Sequence, residues 1–378
     1  MPQVRDLRRA ALWSLLVAKA VAGMGVGWDI RWHVVIGRDS FWIAPHIMTY
    51  AGVAAAALLS FGVLAVETLA ARRGRAPRAS FRIAGLVGTR GFHLAWWGIA
   101  MTIIAAPIDD LWHRLFGIDV TLWSPPHLLG LAGAQINSVG CLLIAREIWP
   151  AGRTRTIALG LGGLLLFSGF QTGIDPALRT AFMHGGVRFF TYAMLGGLLL
   201  TFALVVTARL ATSRAMPVVV TVGGLALQLA VIGIGDVGMA MLRPVPGVAD
   251  AIAADPTSPI AIAHEIARRS GVTPGRGFTV RLFPILPAIV MALIDPRRRP
   301  VAAGLGFAGA LYVVNGVMFL RSPAFAHVHP EPTDALAALV LTALAALAGT
   351  VAATACERRA TGDAADPGIA TIAVPLRP

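Results

Sequence analysis

Long apolar runs, each close to the ~20 residues that a helix needs to cross a bilayer, recur along the whole chain. They lie near Ala10–Trp28, Trp42–Ala70, Gly91–Ile108, Trp123–Trp149, Thr156–Ile174, Phe189–Leu210, Met216–Leu242, Phe278–Ile294, Val301–Leu320 and Asp334–Ala355. Of the 378 residues, 56% are hydrophobic and only 13% charged. A soluble core cannot hide that much apolar surface, so lipid is the main solvent. The expected fold class is all-α: a polytopic integral membrane helical bundle of about ten transmembrane helices. The first run follows Arg5, Arg8 and Arg9 without a clear small-residue cleavage site, and reads as a retained anchor. Cys141 and Cys356 are too few for a disulfide framework or a thiolate zinc site.

The net charge of +13 does not make this a nucleic-acid binder. The basic residues are almost all Arg and cluster between apolar runs, which is the pattern of membrane topology. Arg72, Arg73, Arg75, Arg78 and Arg82 fill one connection, Arg153 and Arg155 another, Arg297–Arg299 a third, and Arg358 and Arg359 open the tail. With about ten spans these loops share the side of the N-terminus, so both termini are expected in the cytoplasm. The opposite loops hold most of the His. One of them, residues 243–277, is long. Within it Ser258–Pro259 opens a helical stretch through His264, Glu265, Arg268 and Arg269, which Gly271 can close. It reads first as an interfacial helix and second as a lid over an outer cavity. The tail 357–378 is polar and expected to be disordered.

Two outer loops carry the same pattern. Asp29, Trp32, His33, Gly37, Asp39, Trp42, Pro45 and His46 recur in order as Asp109, Trp112, His113, Gly117, Asp119, Trp123, Pro126 and His127. Gly52 and Gly133 follow their histidines at equal distance. The two copies run in the same sense, so residues 1–150 are read as a parallel repeat of two helix pairs, ahead of a six-helix region 151–356. Asp29 and His33 are four apart and share one helix face. Pro45 suits the first turn of the next helix and sets His46 at its start. One carboxylate and two imidazoles can thus meet at a point, and Asp109, His113 and His127 repeat the set. Asp39 and Asp119 are placed to accept the second ring N–H of a ligating histidine. Such a donor set, without thiolate, suits copper, iron or zinc and leaves open positions. Trp32, Trp42, Trp112 and Trp123 are assigned to the aromatic belt.

This motif resembles that of the C subunit of particulate methane and ammonia monooxygenases, the copper membrane monooxygenases. Asp29, Trp32, His33, Arg38, Asp39, Pro45 and His46 carry the likeness, and Asp109, His113 and His127 fall where the family has a later, similar set. The resemblance covers about residues 28–133. It implies copper, a membrane site on the outer face, companion membrane subunits, and oxidation of a small apolar substrate by dioxygen. In the family the second set usually begins with Asn; here it begins with Asp109. The alternative from another class is a transporter or metal-handling protein without turnover, supported by the parallel repeat and by Asp236 inside the seventh run.

Gln171, Asp175, Asp236 and Asn315 lie toward the outer ends of their runs and are expected near a polar cavity beneath the motifs, although helix-to-helix hydrogen bonding is favoured for Gln171 and Asn315. Arg281 or Arg243 are the expected partners of Asp236. His327, His329 and Glu331 read as a solvated loop.

Overall fold

A computed structural model of the chain describes residues 2–37, 40–75, 80–116, 122–276 and 279–362. The protein is an all-α, multi-pass membrane bundle. Its long helices are α1 (Pro2–Ile36), α2 (Ala44–Arg72), α3 (Arg90–Phe116), α4 (Pro125–Ile148), α5 (Arg153–Gly173), α7 (Thr191–Leu210), α8 (Met216–Leu242), α13 (Pro300–Arg321) and α14 (Pro332–Gly362). Shorter pieces are α6 (Pro176–His184), α9 (Val248–Ala254), α10 (Pro259–Arg269), α11 (Thr279–Leu282) and α12 (Ile285–Ile294). Among the described residues nine stretches are long and apolar enough to cross a membrane. The eighth expected run is the exception: Val280–Ile294 is a shorter apolar segment, about 22 Å at ~1.5 Å per residue.

Polar contacts sort the helix ends into two sets. At one end Arg8 of α1 forks onto Glu67 of α2, at 2.6 and 2.8 Å. There too Gly91 N of α3 donates to Glu147 of α4 at 2.9 Å, and Arg90 donates to the Arg359 carbonyl of α14 at 2.8 Å. Arg209, closing α7, meets Glu357 of α14 at 3.0 Å and the Arg297 carbonyl at 2.8 Å. At the other end Tyr192 of α7 donates to the Val280 carbonyl at 3.2 Å, and Tyr312 of α13 to that of Ala335 at 2.7 Å. Val280 and Arg297 therefore sit at opposite ends, and the short α11–α12 segment traverses the bundle like its longer neighbours. The start of α1 and the end of α14 share the Arg-rich end. There β1 (Phe81–Ile83) and β2 (Leu86–Gly88) form a hairpin that the sequence reading passed over as loop. Ala84 and Gly85 turn it with positive φ, and Thr68 Oγ1 accepts the Val87 N–H at 2.8 Å.

The duplicated motif is matched by a duplicated packing. α1 lies along α2, and α3 along α4. Both second helices start alike: Ile43 (φ −67°, ψ 152°) and Ser124 (φ −66°, ψ 149°) are extended, and a proline follows in the first turn. A Cβ on Gly52 would stand 2.5 Å from Ala22 N and 2.6 Å from Ala18 O. A Cβ on Gly133 would stand 2.8 Å from Thr102 N and 2.6 Å from Gly98 O. Ala18 and Ala22 precede Asp29 by the same steps as Gly98 and Thr102 precede Asp109, so the register of the two helix pairs is the same. Each glycine lets two backbones touch, as small residues do between membrane helices.

The expected tail begins later than anticipated, because α14 continues through Arg358 and Arg359 to Gly362; residues 363–378 lie outside the described residues.

Candidate metal centre at the mouth of a membrane cavity

Asp29 and His33 occupy the last two turns of α1, and His46 the first turn of α2. His33 Nδ1 sits 2.9 Å from the Asp29 carbonyl and 3.5 Å from its Oδ1. With Nδ1 donating to that carbonyl, the lone pair is on Nε2, the tautomer a ligand needs. His46 Nε2 lies 3.1 Å from Asp29 Oδ1, and the two imidazole centroids are 6.3 Å apart. In the second copy His127 Nε2 lies 3.4 Å from Asp109 Oδ1, the same atom pair as in the first. The side chain of His113, and Arg38, Asp39 and Asp119 altogether, lie outside the described residues.

The donor types fit a transition metal, but the arrangement is that of Asp and His side chains in direct contact with one another. Among the described residues no group of three or more His, Cys, Asp or Glu side chains stands ready to hold a metal ion. For the first set to do so, His46 Nε2 and Asp29 Oδ1, now 3.1 Å apart, have to turn toward a common point, since both atoms would become ligands.

Both copies line one cavity of about 510 Å³, within the ~300–1,000 Å³ usual for ligand sites. Asp29, His33, His46, Asp109 and His127 form its outer part. The later helices complete the wall through Gln171, Asp175, Arg179, Gln228 and Arg281, so the N-terminal repeat does not enclose it alone. Arg281 holds Asp175, and the Gln171 amide reaches the Arg281 carbonyl at 3.4 Å. The amphipathic α10 closes one side with Pro259 and Ile260. The expected start of that helix is present: Ser258 Oγ accepts the Ala261 N–H at 3.2 Å, and Gly271 beyond its end has φ +65°. His264 fastens it to the end of α1 through the Val34 carbonyl at 2.7 Å. On its outer face Arg268 and Arg269 flank Glu265 and hold its carboxyl down to about 2.

Three expectations are corrected. Asp236 is not part of the cavity lining; Arg31 and Arg276 hold it, rather than Arg281 or Arg243. Arg31 stands where the second copy has Leu111, so this ion pair docks α1 on α8 and has no counterpart on α3. Trp32 is not a belt residue: it is 7% exposed and packs edge-on against Trp28 at 6.4 Å, whereas Trp42 is 72% exposed. Asn315 is buried away from the cavity, and neither its Nδ2 nor its Oδ1 has a hydrogen-bond partner among the described residues, so the favoured helix-to-helix bond is not formed either. His327 takes an Arg269 N–H at 3.0 Å and packs on Phe182.

Sequence reasoning missed Lys19, Gln135 and Ser138, which line the cavity's deep end. The available signal was a lone lysine in the middle of the first apolar run, where charge is expensive.

Compared with known proteins, the chain matches no family model, no curated protein and no solved structure.

Proposed function

We propose that this chain is an integral membrane metal-binding protein, with copper preferred over iron or zinc. Asp29, His33 and His46 form one ligand set, and Asp109, His113 and His127 the other. The observation that carries the reading is the pairing of equivalent Asp and His atoms in two equally registered helix pairs, both at the mouth of one cavity. The choice of copper rests on the resemblance to the monooxygenase C subunit. Bound copper would supply dioxygen chemistry toward a small apolar substrate. The chain's own residues supply the rest: Asp29 and Asp109 bring negative charge that offsets a cation, the His33 carbonyl contact fixes its tautomer, and the apolar wall admits a lipid-soluble molecule. Electrons would come from a donor or companion membrane subunits outside this chain. A second reading, metal transport without turnover, is supported by the parallel repeat of helix pairs in one register.

Protein purified without chelator is expected to hold one or two transition-metal ions per chain, measured by elemental analysis. Less than about a tenth of an equivalent after reconstitution with copper, iron and zinc in turn would overturn the metal reading, because open sites of this donor type fill readily. Substrate-dependent dioxygen uptake then supports the enzyme, and metal flux in proteoliposomes supports the transporter.

The motif end is proposed to face away from the cytoplasm, since the opposite end carries the Arg clusters. Cysteines introduced at Ser40 and Thr121 are expected to react with an impermeant thiol reagent in intact cells. Labelling only after lysis would reverse the orientation.

A further inference from the structure

We infer that the deep end of the cavity is a second binding site, built for the carboxylate head of a small amphiphile, with Lys19 as its anchor.

Lys19 and Asp29 both line the cavity from α1. Their separation along the helix is about 15 Å at ~1.5 Å per residue, so the cavity runs from the membrane surface to its middle. There Lys19 Nζ donates to the Ala134 carbonyl of α4 at 2.9 Å. Among the described residues no carboxylate pairs with it; its only bond is to that neutral carbonyl. An ammonium within a membrane bundle is costly unless it meets an opposite charge. Two of its three N–H groups remain for a ligand.

A second observation points to the same place. Gln135 is 9% exposed and lines the cavity, yet its Oε1 has no hydrogen-bond partner. Its amide lies against Gly169 of α5, where a Cβ would stand 2.0 Å from Nε2 and push the amide aside. Ser138, on the same helix, and Ser168 of α5 also face the space, and Ser168 Oγ has no partner either. An ammonium, the unpartnered Ser168 hydroxyl and the Gln135 amide, turned to offer its Nε2, together match a carboxyl group, which offers two oxygens to donors, while the Ser138 hydroxyl is already engaged with the Ala134 carbonyl at 3.1 Å.

Charge sets the ligand's direction. Asp29 and Asp109 repel a carboxylate from the part of the cavity they line. The head seats on Lys19, the ammonium without a carboxylate partner among the described residues, and the apolar tail extends toward the Asp–His pairs. That the tail would meet an oxidising centre there rests on the proposed function; the binding itself does not.

The test uses metal-free, full-length protein in nanodiscs, with empty nanodiscs subtracting lipid partition. Decanoate and decanol are the probes. Decanoate is expected to bind, Lys19→Met to weaken it at least tenfold, and decanol to bind weakly and equally to both proteins. Lys19→Gln and Gln135→Leu are carried alongside in case Lys19→Met fails to fold. Failure of the wild type to bind decanoate overturns the site. So does decanol binding as tightly as decanoate, or full decanoate affinity in every variant that folds. Because no metal is present, these outcomes stand apart from success or failure of the metal reading.

Discussion

Alanine at both His46 and His127 is expected to lower the copper held by the purified protein to under about a tenth of wild type. Either substitution alone should remove roughly half. Each histidine approaches the carboxylate of its own helix pair, at 3.1 Å for His46 and 3.4 Å for His127, so each pair keeps its own ligands when the other is broken. Asp29→Asn keeps the side chain's shape and one oxygen but no longer offsets a cation, and affinity at the first site should fall at least tenfold. Metal binds neutral imidazole, so affinity should fall as pH falls. The two sets border one cavity, and a modest coupling is expected on top. His33→Ala should weaken the second site by about 1 kcal/mol, as is common for linked sites, and His113→Ala should do the reverse. Titrations of both single variants and the double variant measure it. Full wild-type affinity at each surviving site would mean that the shared space transmits nothing between them.

What was legible in the sequence followed from local rules. Run length gave the spans, and Ser258–Pro259 and Gly271 bounded α10 because capping and positive φ are local demands. The order of Asp, Trp, His and Pro in two loops marked a repeat whose helix pairs do share a register. Legibility ended where partners lie far apart in the chain. Asp236 had several arginines to choose from, and which one meets it depends on how α1 packs on α8. Trp32 is expected in the aromatic belt with Trp42, Trp112 and Trp123, yet it is buried against Trp28. The cavity was harder still. Its outer part was expected from the motifs, but its floor depends on α4 and α5 meeting α1 around Lys19, Gln135 and Ser168. No spacing within any one of those helices announces that meeting.

Arg8→Met is expected to be among the most damaging single substitutions outside the cavity. Glu67 is fully buried, and Arg8 is 14% exposed. The guanidinium fork donates Nε to Oε1 at 2.6 Å and Nη2 to Oε2 at 2.8 Å, so both carboxylate oxygens are satisfied by one planar group. Around this pair the ends of α1 and α2 meet the β-hairpin, and a Cβ on Gly88 would approach Glu67 Oε2 at 3.6 Å. Methionine keeps the aliphatic bulk but strands the carboxylate away from solvent. Breaking a buried pair from one side typically costs about 3–5 kcal/mol, whereas replacing both partners with apolar groups is often nearly neutral. Arg8→Met/Glu67→Leu should therefore recover most of the loss, even though it removes two charges. Lysine at position 8 should recover less, because a point charge cannot satisfy both oxygens as a fork does. Unfolding of the four proteins in one detergent, followed by circular dichroism against denaturant, gives the comparison. Equal stability of Arg8→Met and wild type would show that the pair merely decorates the helix ends. A double variant as unstable as the single would place the cost in lost packing rather than in the orphaned charge.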